Sequence, residues 1–148
     1  MRPLIKAGLL ATLLLTSAAW AQTTSPVGLW KTIDDESGKP KALVRITEEN
    51  GALQGKIEKL FRAQNEDQNP KCTECQDSRK NQPLVGMTIV SGLKKDGNEY
   101  TGGEILDPAK GKVYKSKATL RDGGQKLEVR GYIGAPMFGR SQVWQREQ

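Results

Sequence analysis

Two cysteines, Cys72 and Cys75, stand three residues apart in the middle of a polar stretch. A Cys-x-x-Cys pair serves three chemistries: a local disulfide, a redox dithiol, or half of a zinc site. Zinc needs two more soft ligands, and the chain holds no third cysteine and no histidine. A redox dithiol needs a helix N-terminus to lower one thiol, in a βαβ setting that is missing here. In an exported chain an even cysteine count points instead to a structural disulfide, one that pins the long polar excursion around it. The absence of histidine also removes Ser-His-Asp and Cys-His catalysis and any histidine pH switch. Asp107-Pro108-x-x-Gly111-Lys112 has the residues of a phosphate loop, but a strand follows it where a helix N-terminus would be required. It reads as a turn. The carboxylate pairs Asp34/Asp35 and Glu48/Glu49 also fall in turns, with nothing to mark them as acid and base. No catalytic residue, metal set or cofactor is expected, and an enzyme is the least supported class.

A second set of residues could bind rather than react. Arg130, Tyr132, Tyr114, Tyr100, Arg140 and Gln142 are polar or amphipathic groups within strand-like segments. Pointing inward, they would line a cavity with donors suited to a carboxylate or similar anionic head. Pointing outward, they are a solvated face, and alternation sets Arg130 opposite Leu127 and Val129. Met137 and Phe138 sit at a hairpin tip, as a lid folded back or as an exposed contact patch. Trp30, in Gly28-x-Trp30, lies in the first strand and Arg146 in the last. If first and last strands are neighbours, the guanidinium can stack on the indole and plug one end of a barrel.

The elements that must position these residues read as short strands. Gly28–Ile33 is the first, then Ala42, Val44 and Ile46 alternate with Leu43, Arg45 and Thr47. Asn50-Gly51 turns the chain into Ala52–Phe61. Residues 62–83 break the rhythm as a polar loop far longer than the usual connection of about 4–6 residues. Leu84 to Leu93 is a strand, or a short helix leading into one. Asp96-Gly97 turns into Glu99–Leu106, and a loop leads to Lys112–Arg121, where Tyr114, Ser116, Ala118 and Leu120 share a face. The closing pair runs from Leu127 to Trp144 about a Gly/Pro-rich connection. About eight strands, regular turn signals and no amphipathic helix predict an all-β fold, a single antiparallel up-and-down barrel. Glycines inside strands suit the bending of a small closed barrel better than a flat sandwich.

The N-terminus carries an address. Arg2 and Lys6, the apolar run Ala7 to Leu15 and Ala19-Trp20-Ala21 form a secretory signal, with cleavage expected after Ala21. The apolar run is shorter than the roughly 20 residues that span a bilayer, and no other stretch approaches that length. Residues 22–148 are then one exported domain, periplasmic or secreted, with no transmembrane segment. Losing Arg2 and Lys6 lowers the formal charge from +6 to +4. The lysines are scattered among acids, so nucleic acid is not an expected partner.

One resemblance covers the whole exported chain. Gly28-Leu-Trp30, Cys72-x-x-Cys75, Pro83-Leu-Val-Gly-Met87, Gly102-Gly-x-Ile-Leu-Asp-Pro108-x-x-Gly111-Lys-x-Tyr114, Val129-Arg-Gly-Tyr-Ile-Gly134 and Phe138-Gly-Arg-Ser-Gln-x-Trp144 resemble the exported bacterial family catalogued as domain of unknown function 2147. That resemblance implies a lipocalin-like, calycin-type barrel in the periplasm. The chain departs from true lipocalins in its Cys-bearing loop and in lacking a C-terminal helix. Two functions are expected of such a chain. One is a carrier of a small hydrophobic or amphipathic ligand, contacted by the Arg/Tyr set and Phe138. The other is a structural or protein-interaction module of the envelope with a filled barrel.

Overall fold

Strand alternation closes the sheet on itself. Eight strands, β1 (Gly28–Ile33), β2 (Pro40–Glu49), β3 (Ala52–Leu60), β4 (Thr88–Asp96), β5 (Glu99–Asp107), β6 (Lys112–Arg121), β7 (Lys126–Tyr132) and β8 (Gly139–Arg146), each pair antiparallel with their chain neighbours. The barrel closes where β8 meets β1, in a short seam of Trp30 against Arg146 and Lys31 against Gln145. The computed structural model describes residues 3, 4, 14 and 25–148, so the export signal and its cleavage point lie outside the described residues. No helix among the described residues is long and apolar enough to cross a membrane.

The barrel has two unlike ends. At the hairpin end, tight turns join β2 to β3, β4 to β5 and β6 to β7, and both the start of β1 and the end of β8 arrive there. At the loop end lie the other four connections, among them the longest of the barrel, between β3 and β4. Inward positions carry the apolar residues of the alternation: Trp30, Val44, Ile46, Leu53, Ile57, Leu93, Leu127, Val129 and Trp144 are all buried. Glycines admit large neighbours into this interior. Leu93 packs over Gly103, Val90 and Val44 over Gly55, and Ile105 and Tyr114 over Gly131.

Trp30 closes the hairpin end. Its Nε1–H donates to the Pro26 carbonyl at 2.8 Å, and the Arg146 guanidinium lies 4.3 Å from its ring centroid. Arg146 also donates to the carbonyls of Gly124, Val27 and Ser25, at 2.7, 3.0 and 2.6 Å. Burial pulls the Arg146 pKa below its ordinary value. A Cβ at Gly28 would collide with this guanidinium and with the Gln148 carbonyl, which is why a glycine precedes Leu29-Trp30. The guanidinium of the last strand thus stacks on the indole of the first where the barrel closes.

The polar excursion proves to be a buttress on the outside of the barrel. The alternation expected from Leu84 starts later than the sequence suggests. Residues 84–87 form a turn, with Gly86 at φ 90°, and β4 begins only at Thr88. Opposite Val90, which faces in, Ile89 faces out; Leu106 likewise faces out beside inward Ile105. Both are nevertheless buried. The excursion is the segment that reaches this side. Cys72 Sγ approaches the Pro108 carbonyl at 3.7 Å, and a Cβ at Gly111 would overlap the Glu74 carbonyl. A disulfide joins Cys72 to Cys75, and each residue is 1% exposed. An outward apolar pair thus obtains its cover from a loop.

Arg79 ties the excursion down, donating to the Thr88 carbonyl at 2.9 Å and to Asp77 Oδ1 at 3.0 Å. The guanidinium holds the Asp77 carboxyl at about 2, below the usual carboxylate range. A depressed folded pKa stabilises fully above the unfolded value of about 4 and is lost as pH falls through about 2. Amide protection in residues 71–83, corrected for intrinsic rates, is therefore expected to drop between pH 4 and pH 2 more than in β2 and β3. Equal losses in both regions would refute this tie.

Candidate functional site

The inner face of β8 carries a polar ladder from the loop end downward. Arg140 pairs with Gly131 and Gln142 with Val129, both inward positions on β7. Arg140 Nη2 and Gln142 Nε2 donate to the same carboxylate oxygen of Asp35, at 3.1 and 3.2 Å. Below them Trp144 Nε1–H donates to Gln142 Oε1 at 3.3 Å. Asp35 arrives on the β1–β2 loop, whose turn is fixed by Ser37 N–H donating to Asp34 Oδ2 at 2.9 Å. The ladder starts in water, where the Arg140 side chain is 76% exposed, and ends on the buried Trp144.

Beside the ladder lies an orphan. Ser116 is fully buried and its Oγ has no hydrogen-bond partner. It occupies one cross-strand row with Gly103, Gly131 and Arg140, three small residues followed by a cation. The half-buried Tyr114 and Ile105 pack over the Gly131 end of that row. An unpaired hydroxyl in an apolar interior costs about 1–3 kcal/mol, so it marks a place where a polar atom would be welcome.

The sequence-derived candidates separate into groups. Arg140, Gln142 and Tyr114 converge at the loop end of the interior. Tyr100 also faces inward, but at the hairpin end. There it borders a depression of about 250 Å³ with Ser25, Glu48, Leu53, Leu93 and Lys95. Burial, and secondarily the Glu48 charge, raise its phenol pKa. Arg130 and Tyr132 lie on the outer face, out of reach of any interior ligand. Their neighbours Leu127, Val129 and Gly131 take the inward positions of β7, and alternation leaves Arg130 and Tyr132 none. Arg130 braces the β7–β8 hairpin from outside, donating to Pro136 O at 2.6 Å, Ser141 Oγ at 3.0 Å and Gly139 O at 3.3 Å. Tyr132 covers Gly139. Phe138 stands at the tip of the loop, 69% exposed. Asp35 and Ser116 were missed. Asp35 reads as a solvated turn acid, whereas Ser116 carried a signal, as a polar residue on an otherwise apolar inward face.

The match to a known family is direct. A sequence profile for uncharacterized proteins conserved in bacteria, DUF2147, covers residues 28–146. The chain belongs to this family. Its fold is shared with the solved structure of protein HP1028 from Helicobacter pylori, which belongs to the lipocalin family. The two align with a TM-score of 0.71 and 20% identity, over 85% of each chain. No curated protein matches the chain. This DUF2147 barrel is therefore lipocalin-like in architecture, with the Trp30–Arg146 stack closing one end and the Arg140 ladder at the other.

Proposed function

We propose that this DUF2147 protein is an exported carrier that binds a small amphipathic molecule at the loop end of its barrel. The orphaned Ser116 hydroxyl, in one row with Arg140, carries the reading. A ligand with an anionic head would meet Arg140 and Gln142 at the rim, taking the place of the Asp35 carboxylate on their donors. Its next polar atom would reach Ser116, and its apolar part would lie against Tyr114 and Ile105, which must shift to admit it. Export is supported by the A-x-A signal and by the buried Cys72–Cys75 disulfide, a bond suited to an oxidising compartment.

A second reading has an observation of its own. Leu93, Val90, Ile105 and Tyr114 already fill the space above the inward glycines, as a structural module with a filled barrel requires. Native mass spectrometry of the protein from its own cells, with extraction of any retained molecule, separates the two. A stoichiometric adduct supports the carrier, and an empty protein that also ignores an apolar probe supports the filled module.

Ser116→Ala gives the sharper test. Removing an unpaired buried hydroxyl is expected to stabilise the ligand-free protein by about 1 kcal/mol and to weaken ligand binding about tenfold. A loss of stability would show that the hydroxyl is satisfied in solution, and unchanged affinity would remove Ser116 from the site.

A further inference from the structure

The β1–β2 loop, residues 34–39, is closed on itself. Asp34 N–H donates to Lys39 O and Gly38 N–H to Asp34 O, both at 2.8 Å. Ser37 N–H reaches Asp34 Oδ2, and Lys39 N–H reaches Ser37 Oγ at 3.3 Å. Gly38, at φ 70°, supplies the left-handed residue of this closure. Among the described residues, the only hydrogen bonds and ion pair that leave the loop are those of Asp35 with Arg140 and Gln142. No strand pairing reinforces them, because the β1–β8 register stops at Lys31 against Gln145. The loop is a preformed arm with one polar tether, and the tether sits on the donors at the loop end of the barrel.

What those donors can take is fixed from below. The Trp144 indole only donates, so it turns Gln142 Oε1 toward itself and leaves Nε2 pointing at Asp35. Arg140 likewise carries donors alone. The pair takes an acceptor and nothing else. Its charge is single. On β6 at this end, Lys112 stands opposite Asp107 and Lys115 opposite Glu104, each lysine with an acid across the strand. Asp34 and Glu36 add acid on the arm itself. When Asp35 leaves, one cation loses its partner, and one negative charge replaces it. A carboxylate does this, whereas a phosphate monoester, at about −1.5 to −2 near neutral pH, overshoots.

We propose that Asp35 is a built-in competitor for the ligand. Its carboxylate holds Arg140 and Gln142 in the ligand-free protein, and a singly charged carboxylate on the ligand displaces it and swings the β1–β2 arm aside. This rests on the carrier reading of the same site, and adds its regulation and the charge of the head group. The Asp35 and Arg140 side chains are 41 and 76% exposed, and ion pairs so placed hold weakly. The arm thus withholds the donors for part of the time, and lowers affinity by the fraction of molecules that stand open.

The test is equilibrium titration of the protein, as its own cells process it, with a fluorescent polyene fatty acid and with the alcohol and phosphate monoester of the same chain. Asp35→Asn keeps the shape of the side chain and removes its charge. It is expected to bind the acid about fivefold more tightly and the alcohol unchanged. Its melting temperature should hold, since Asp35 is exposed in a turn. The gain should vanish when Arg140→Gln is added, because the competitor acts through that cation. The phosphate should bind both proteins more weakly than the acid. A wild type that binds the acid, with Asp35→Asn no tighter, would overturn the arm and leave the carrier standing. So would a gain that persists without Arg140 or extends to the alcohol, which would make the loop a steric obstacle only. A phosphate that binds better than the acid would overturn the single charge. If neither protein takes up acid or alcohol, the carrier reading falls and the arm with it.

Discussion

Trp30→Ala is expected to cost roughly 3–5 kcal/mol of stability, the range for deleting a large aromatic from a packed interior. Trp30 has no exposed surface and is among the largest side chains in the core. The substitution removes three interactions together: apolar burial, the indole bond to Pro26, and the ring beneath Arg146. The guanidinium, still bonded to the carbonyls of Gly124, Val27 and Ser25, would be left over a void. The register there is two residue pairs long, continued by Leu29 N–H donating to Gln148 O at 3.1 Å and Glu147 N–H to Leu29 O at 2.8 Å, and the stack adds a side-chain clasp to that backbone seam. Domains of this size are commonly stable by about 5–15 kcal/mol, so about a fifth or more of the total is at stake. Urea unfolding at constant slope measures it, and a loss below about 1 kcal/mol would refute the plug as the closing device.

The sequence was most legible where alternation and turn chemistry agree. Ala42, Val44 and Ile46 against Leu53, Gly55 and Ile57, joined at Asn50-Gly51, define a hairpin whose inward face is the one seen. The pairing of Trp30 with Arg146 was legible too, because closing a barrel makes the first and last strands neighbours. What alternation cannot show is cover supplied from outside. Ile89 and Leu106 occupy outward positions and are buried only because a polar loop folds onto them, so period-2 reasoning misplaces the start of β4. The site was half legible for a related reason. Arg140 and Gln142 were found, but Arg130 and Tyr132 shared their composition and not their face. Asp35 reaches the ladder through a loop whose path no local pattern sets.

The second large effect concerns that loop. Cys72→Ala with Cys75→Ala is expected to destabilise the excursion by about 2–4 kcal/mol while the barrel stays folded. The chain-entropy argument for a bridge over so few residues contributes about 2 kcal/mol, and the rest is the buried sulfur surface. Both cysteines are almost wholly inaccessible; the Lys71–Pro83 bridge closes the segment on itself, and its ties to the barrel are few, the Arg79 bond to Thr88 and the contact of Glu74 with Gly111. A unit held this way opens separately from the eight paired strands. Proteolysis should therefore speed up within residues 62–83 well below the global melting temperature, and an apolar dye should bind as Ile89 and Leu106 come into water. The far-ultraviolet signature of the strands should persist. If the double variant instead unfolds the whole chain in one step, the excursion is an integral part of the barrel, and the outward pair would have to be counted as core. If cleavage is unchanged, the packing of the excursion against Gly111 and Pro108 holds it without the bridge.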